Sequence, residues 1–153
     1  MQIEDEIRRD STETGVFIST DGSVLLRRQG EADRVAYQEV ELLRMRGATF
    51  THNHPGDASF SMADYDAAVF GGIRELRAVS PSFRHILLLN HAMPTAQDLQ
   101  RLAVSRAAAI SEKVRVLVNS DAVRAPFTGV ELQHQFWVEA SQVFGFFYTR
   151  DRS

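Results

Sequence analysis

A short β-type run, Ala48-Thr49-Phe50-Thr51, leads without a break into His52-Asn53-His54-Pro55. Side chains alternate along a strand, so the two imidazoles, two residues apart, point to one face. Pro55 has no N–H to continue a ladder, so the strand must stop there. Any fold for this chain therefore ends a strand with two histidines side by side. Asp64 lies a short loop further on, in the first turn of an expected helix opened by Ser61 in a capping-box pattern. Two nitrogens and one carboxylate oxygen make a three-ligand set with a fourth position left for water. That is the open arrangement of catalytic zinc, whereas structural sites are closed by four protein ligands.

Composition narrows the alternatives. The 153 residues are 44% hydrophobic and 24% charged, with no cysteine. This is the balance of an ordinary globular chain, and the length suits one domain spanning 1–153. Without cysteine there is no disulfide scaffold, thiol nucleophile or Cys-ligated metal. The formal net charge of -3 gives no general attraction to nucleic acid or anionic membranes. Lys113 is the one lysine among 17 basic residues, and no local arginine cluster forms a nucleic-acid patch. The acidic start and the lack of a long apolar run predict a soluble, cytoplasmic protein, or a domain of a larger phage or secreted one.

The pattern predicts strands at 14–19 and 23–27 around an Asp21-Gly22 hairpin turn. A polar loop over 29–34 leads to a short strand at Val35-Ala36-Tyr37, then a helix over 39–45 ended by Gly47. After the histidine strand come a helix from Ser61 to Gly71-Gly72 and strands at 75–79 and 83–89. A long helix capped by Thr95 carries Leu99, Leu102, Ala103 and Ala109 on its apolar face, and a break over 119–126 precedes a last helix over 130–144. The fold class is α/β in the broad sense, or α+β: a mixed β-sheet flanked by helices, with its core over about 10–90 and a helical C-terminal part over 95–148.

A metal needs a base beside it to manage protons. Glu13 opens the first strand, and if that strand lies beside 48–51 its carboxylate ends near the histidines. Ser61 can donate a hydrogen bond to an oxyanion. Asp66 should point round the helix away from Asp64, and Asp57 reads as a solvated turn residue. His85 reads as core, His91 as loop, and His134 as a residue of the last helix. Phe136, Trp137, Phe144, Phe146, Phe147 and Tyr148 read as a core stripe whose tail can serve as an interface.

Glu13, then His52-Asn53-His54-Pro55, then Ser61-Met62-Ala63-Asp64 resembles the JAMM (also JAB or MPN) metalloprotease family over residues 10–90. The wording at Thr51–Pro55 is similar to the RadC branch. Phe50–Pro55, Ser59–Ser61 and Glu75–Ser80 are closer still to JAB-like domains of phage, mobile-element and toxin proteins. The resemblance implies a JAB/MPN-like sheet, Zn2+ on His52, His54 and Asp64, Glu13 as general base and Ser61 as oxyanion donor. It implies hydrolysis of a peptide or isopeptide bond by a metal-activated water, with a protein or peptide partner, possibly a ubiquitin-like tail, as substrate. Two other roles fit the same resemblance: a RadC-like or mobile-element accessory module that keeps the zinc but works by binding protein or nucleic acid, and the peptidase domain of a toxin. The chain departs from the eukaryotic deubiquitinases in a loop one residue shorter between Pro55 and Ser61. It also has one residue fewer between Glu13 and Gly15 than many members.

Overall fold

The computed structural model describes residues 2–31, 35–90 and 92–152. Its elements are α1 (Gln2–Ile7), β1 (Thr14–Ile18), β2 (Val24–Gln29), α2 (Glu39–Arg44), β3 (Thr49–Asn53) and α3 (Met62–Gly71). Then follow β4 (Glu75–Val79), β5 (Phe83–Leu88), α4 (Ala96–Asn119), a 3-10 turn at Ala125–Phe127, α5 (Thr128–Phe144) and β6 (Phe147–Arg152). The six strands form one mixed sheet in the order β2-β1-β3-β4-β5-β6. Only β3 and β4 run parallel; the other four pairs are antiparallel. The mixed α/β class follows, with a largely helical C-terminal region. Among the described residues no helix is long and apolar enough to cross a membrane.

The parallel pair dictates where a site can form. Two parallel strands need a crossover connection, and α3 supplies it. It starts at the end of β3 that carries the histidines and runs back to the start of β4. Ser61 caps it, accepting from the Asp64 N–H at 3.1 Å, while Asp64 Oδ2 accepts from the Ser61 N–H at 2.8 Å. Gly72 ends the helix in the left-handed region at φ 63°.

The two sheet faces bury different partners. On one, Phe17, Phe50, Leu76, Ala78 and Leu87 meet Tyr65 of α3, Leu99 and Leu102 of α4, and Trp137 and Ala140 of α5. On the other, Val16, Ile18 and Val79 meet Ile7 of α1. The fully buried Glu4 of α1 pairs there with Arg77 of β4 at 3.0 Å.

Several expectations are corrected. Val35-Ala36-Tyr37 forms no strand; Tyr37 turns its ring onto Phe17 and Phe50 and so packs over the sheet without joining it. The C-terminal part is not helical to 148, because β6 pairs with β5 from Phe147↔Leu88 to Arg152↔Phe83. Of the residues expected on the apolar face of α4, Ala109 is exposed; Leu99, Leu102, Ile110 and Val114 are the buried ones. Asp57 is no solvated turn residue: it accepts from the Ser82 N–H at 3.0 Å and hydroxyl at 2.9 Å, tying the loop after Pro55 to the β4–β5 turn. His91, and residues 32–34 of the expected polar loop, lie outside the described residues.

Candidate metal centre

Strand register builds the site. β1 runs antiparallel to β3 with Gly15 opposite His52. Two residues back from Gly15 is Glu13, and two on from His52 is His54, so all four positions share one face. The His54 N–H donates to the Val79 carbonyl at 2.8 Å, which holds this residue beside β4 after β3 has formally ended.

The three expected ligands converge. His52 Nε2 and His54 Nε2 lie 2.9 Å apart, and Asp64 Oδ2 is 3.5 Å from the first and 3.6 Å from the second. The circle through three atoms so spaced has a radius of about 1.9 Å, close to the 2.0–2.2 Å reach of zinc to nitrogen and oxygen ligands. The shorter Pro55–Ser61 loop therefore does not keep Asp64 from the histidines. Among the described residues this is the one group of three His, Cys, Asp or Glu side chains arranged to hold a metal ion.

The surroundings prepare the nitrogens as donors. His54 Nδ1 lies 3.2 Å from the Ala58 carbonyl, a contact that places the proton on Nδ1 and frees the Nε2 lone pair. His52 Nε2 faces His54 Nε2, its Nδ1 is buried, and the Arg77 main chain favours a proton on the ring. With both protons on Nδ1, two lone pairs face each other across 2.9 Å beside a carboxylate. A cation between them relieves that repulsion.

Burial and charge act against each other here. Burial opposes ionisation of Asp64, but the adjacent His52 and His54 outweigh it and hold the carboxyl far below its usual range. Burial lowers the pKa of fully enclosed His52, with only partial compensation from Asp64. For His54 burial also opposes charge, but the Asp64 hydrogen bond and the Asp64 and Glu13 charges prevail and raise its pKa. Metal binding needs an ionised Asp64 and both imidazoles neutral, so an entering cation must displace the proton that Asp64 and Glu13 favour on His54.

Glu13 is buried, with Oε1 3.4 Å from His54 Nε2. Asn53, on the opposite face from the histidines, puts it there. Its side-chain oxygen accepts from the Thr14 N–H at 2.6 Å, and its amide donates to the Asp10 and Thr12 carbonyls at 3.2 and 3.1 Å. Sequence reasoning missed this clamp; the readable signal was an amide between two ligands, necessarily facing away from them. Ser61 is brought to the centre, but its hydroxyl donates to Asp64 Oδ2 at 2.7 Å. Asp66 is exposed on the far side of α3. His85 is fully buried and shares the Tyr148 hydroxyl with half-buried His134, at 2.8 and 3.0 Å. Neither belongs to the ligand set.

A cavity of about 110 Å³ opens against the centre, lined by Glu13, Tyr37, Phe50, His52, Ser61 and Asp64 among others. A larger one, about 690 Å³, lies between β5, β6 and the turn before α5 and shares none of these residues. Comparison of the chain with family models, curated proteins and solved structures returns no match.

Proposed function

We propose that the chain is a zinc-dependent hydrolase of JAMM type that cleaves a peptide or isopeptide bond. The observation that carries the reading is the convergence of His52, His54 and Asp64 within 3.6 Å of one another, with the Glu13 carboxylate 3.4 Å from His54. Zinc held by these three would supply Lewis acidity and a lowered pKa for water. Glu13 takes the proton of the attacking water and returns it to the leaving amine. Its burial beside His54 keeps it oriented and away from bulk solvent. Asp64 stays ionised because two imidazoles face it. Ser61 fixes Asp64 Oδ2 by hydrogen bonds from both its N–H and its hydroxyl. The small cavity beside the centre, about 110 Å³, favours a peptide or protein tail as the substrate class.

The test is metal analysis of the purified protein beside a His52→Ala, His54→Ala double variant, followed by turnover of fused and branched peptides. One zinc per chain, lost in the double variant, with turnover abolished in Glu13→Ala while zinc is retained, supports the reading. Full metal with no turnover across a broad peptide panel would favour an accessory binding module. No metal uptake by the wild type removes the proposal.

A further inference from the structure

Two hydroxyl-bearing residues, Ser61 and Tyr37, line the cavity beside the ligand set, and their hydroxyls are in opposite states. That of Ser61 is committed: it donates to Asp64 Oδ2 and accepts from the Asp64 N–H. That of Tyr37 is not. Its oxygen is closed off from solvent and has no hydrogen-bond partner among the described residues. Burying a hydroxyl without a partner costs about 1–3 kcal/mol. A phenylalanine here would keep the ring packing and avoid that cost.

The ring is held from three directions. It meets Phe17 edge-on at 5.0 Å and Phe50 edge-on at 5.7 Å, and the Arg28 guanidinium lies over it at 5.2 Å. Phe50 in turn stacks on His52 at 5.0 Å. Below the hydroxyl sits Gly15, the residue paired with His52. A Cβ at Gly15 would run into the Tyr37 oxygen, so this strand position needs a glycine for space and not for an unusual φ. The chain has cleared a seat for a hydroxyl and then left its proton unspent, on a residue that lines the same cavity as Glu13, His52 and Asp64.

We infer that Tyr37 is a substrate-contacting residue whose hydroxyl donates a hydrogen bond to an oxygen of the group bound at the His52, His54 and Asp64 centre. The inference rests on the hydrolase reading and deepens it. It assigns to Tyr37 the donor role that the sequence pattern gives to Ser61, whose proton is engaged within the helix cap.

Acetohydroxamate, a small metal-directed probe with oxygen acceptors, tests this on the zinc-loaded protein by calorimetry. Tyr37→Phe should weaken its binding about ten- to a hundredfold, the range for a hydrogen bond to a charged oxygen, at unchanged zinc content. Binding within twofold of wild type overturns the assignment and leaves the hydrolase reading standing. A wild type that takes up no zinc overturns both. A second arm uses the metal-free protein and denaturation alone. Gly15→Ala should lower the midpoint, and the Gly15→Ala, Tyr37→Phe double variant should recover part of the loss. A Gly15→Ala protein as stable as wild type shows that the hydroxyl does not occupy this seat, and overturns the inference by itself.

Discussion

Replacing Asn53 with alanine should separate metal binding from the placement of the base. The side chain is fully buried and makes three hydrogen bonds to main-chain groups of residues 10–14. At about 1 kcal/mol net for each bond, with a further cost for a buried N–H left unpaired at Thr14, the loss comes to about 3–4 kcal/mol. Domains of this kind are stable by about 5–15 kcal/mol, so the variant should still fold. With a urea m-value of about 2 kcal/mol/M, the midpoint should fall by about 1.5–2 M. The Thr14 hydroxyl keeps a weaker tether to Asp10 at 3.1 Å, so the segment loosens without detaching. Asn53 touches none of the three ligands, so zinc affinity should stay within a few-fold of wild type while peptide turnover drops at least tenfold. Urea denaturation, a competitive zinc indicator and a peptide assay on one preparation settle it. A midpoint shift below 0.5 M, or zinc affinity falling in step with turnover, refutes the reasoning.

Three other outcomes follow from the same geometry. Zinc at about a hundred times its Kd should stabilise the wild type by about 2.7 kcal/mol, raising Tm by about 5–10 °C; a thermal scan of the His52→Ala, His54→Ala variant should show no shift. Burial, aided by the nearby Arg150 and His134, lowers the His85 pKa to about 3 from the usual 6.5 of a free imidazole. Below pH 6.5 the unfolded chain then takes up a proton that the folded one refuses, and stability falls with pH until about pH 3. Between pH 7 and 5 this amounts to about 2 kcal/mol, which should be missing in His85→Phe; equal acid sensitivity of the two proteins by urea denaturation contradicts it. Trp137, fully buried against Phe60, Tyr65 and Phe146, should cost about 3–5 kcal/mol on replacement by alanine, read by circular dichroism because the chain's one tryptophan is gone.

The ligand set was legible because it is local. Strand alternation, a proline stop and a capping box are rules acting over a few residues, and together they place His52, His54 and Asp64. The position of Glu13 also followed, once β1 was assumed to lie beside β3. What escaped depends on distant partners. The α1 segment has only Ile3 and Ile7 as apolar residues, and it is held by burial of Ile7 and by Glu4 pairing with Arg77, over seventy positions away. The Phe147–Arg152 stretch, expected to be helical as far as 148, is a strand because it pairs with β5, with Arg150 stacked over Phe83 at 4.7 Å. Tyr37 has the composition of a strand residue, and only the vacancy above Gly15 shows where its ring goes.

The crossover between β3 and β4 has one more consequence. All three candidate ligand side chains fall between residues 52 and 64, on a single strand–loop–helix unit. Closing so short a loop carries a small entropic cost. Glu13, the proposed acid–base carboxylate, arrives instead from some forty positions upstream, fastened by the Asn53 amide. Under the proposed function, cation capture and bond cleavage have separate origins along the polypeptide, and damage to the amino-terminal stretch would abolish turnover while leaving the ion in place.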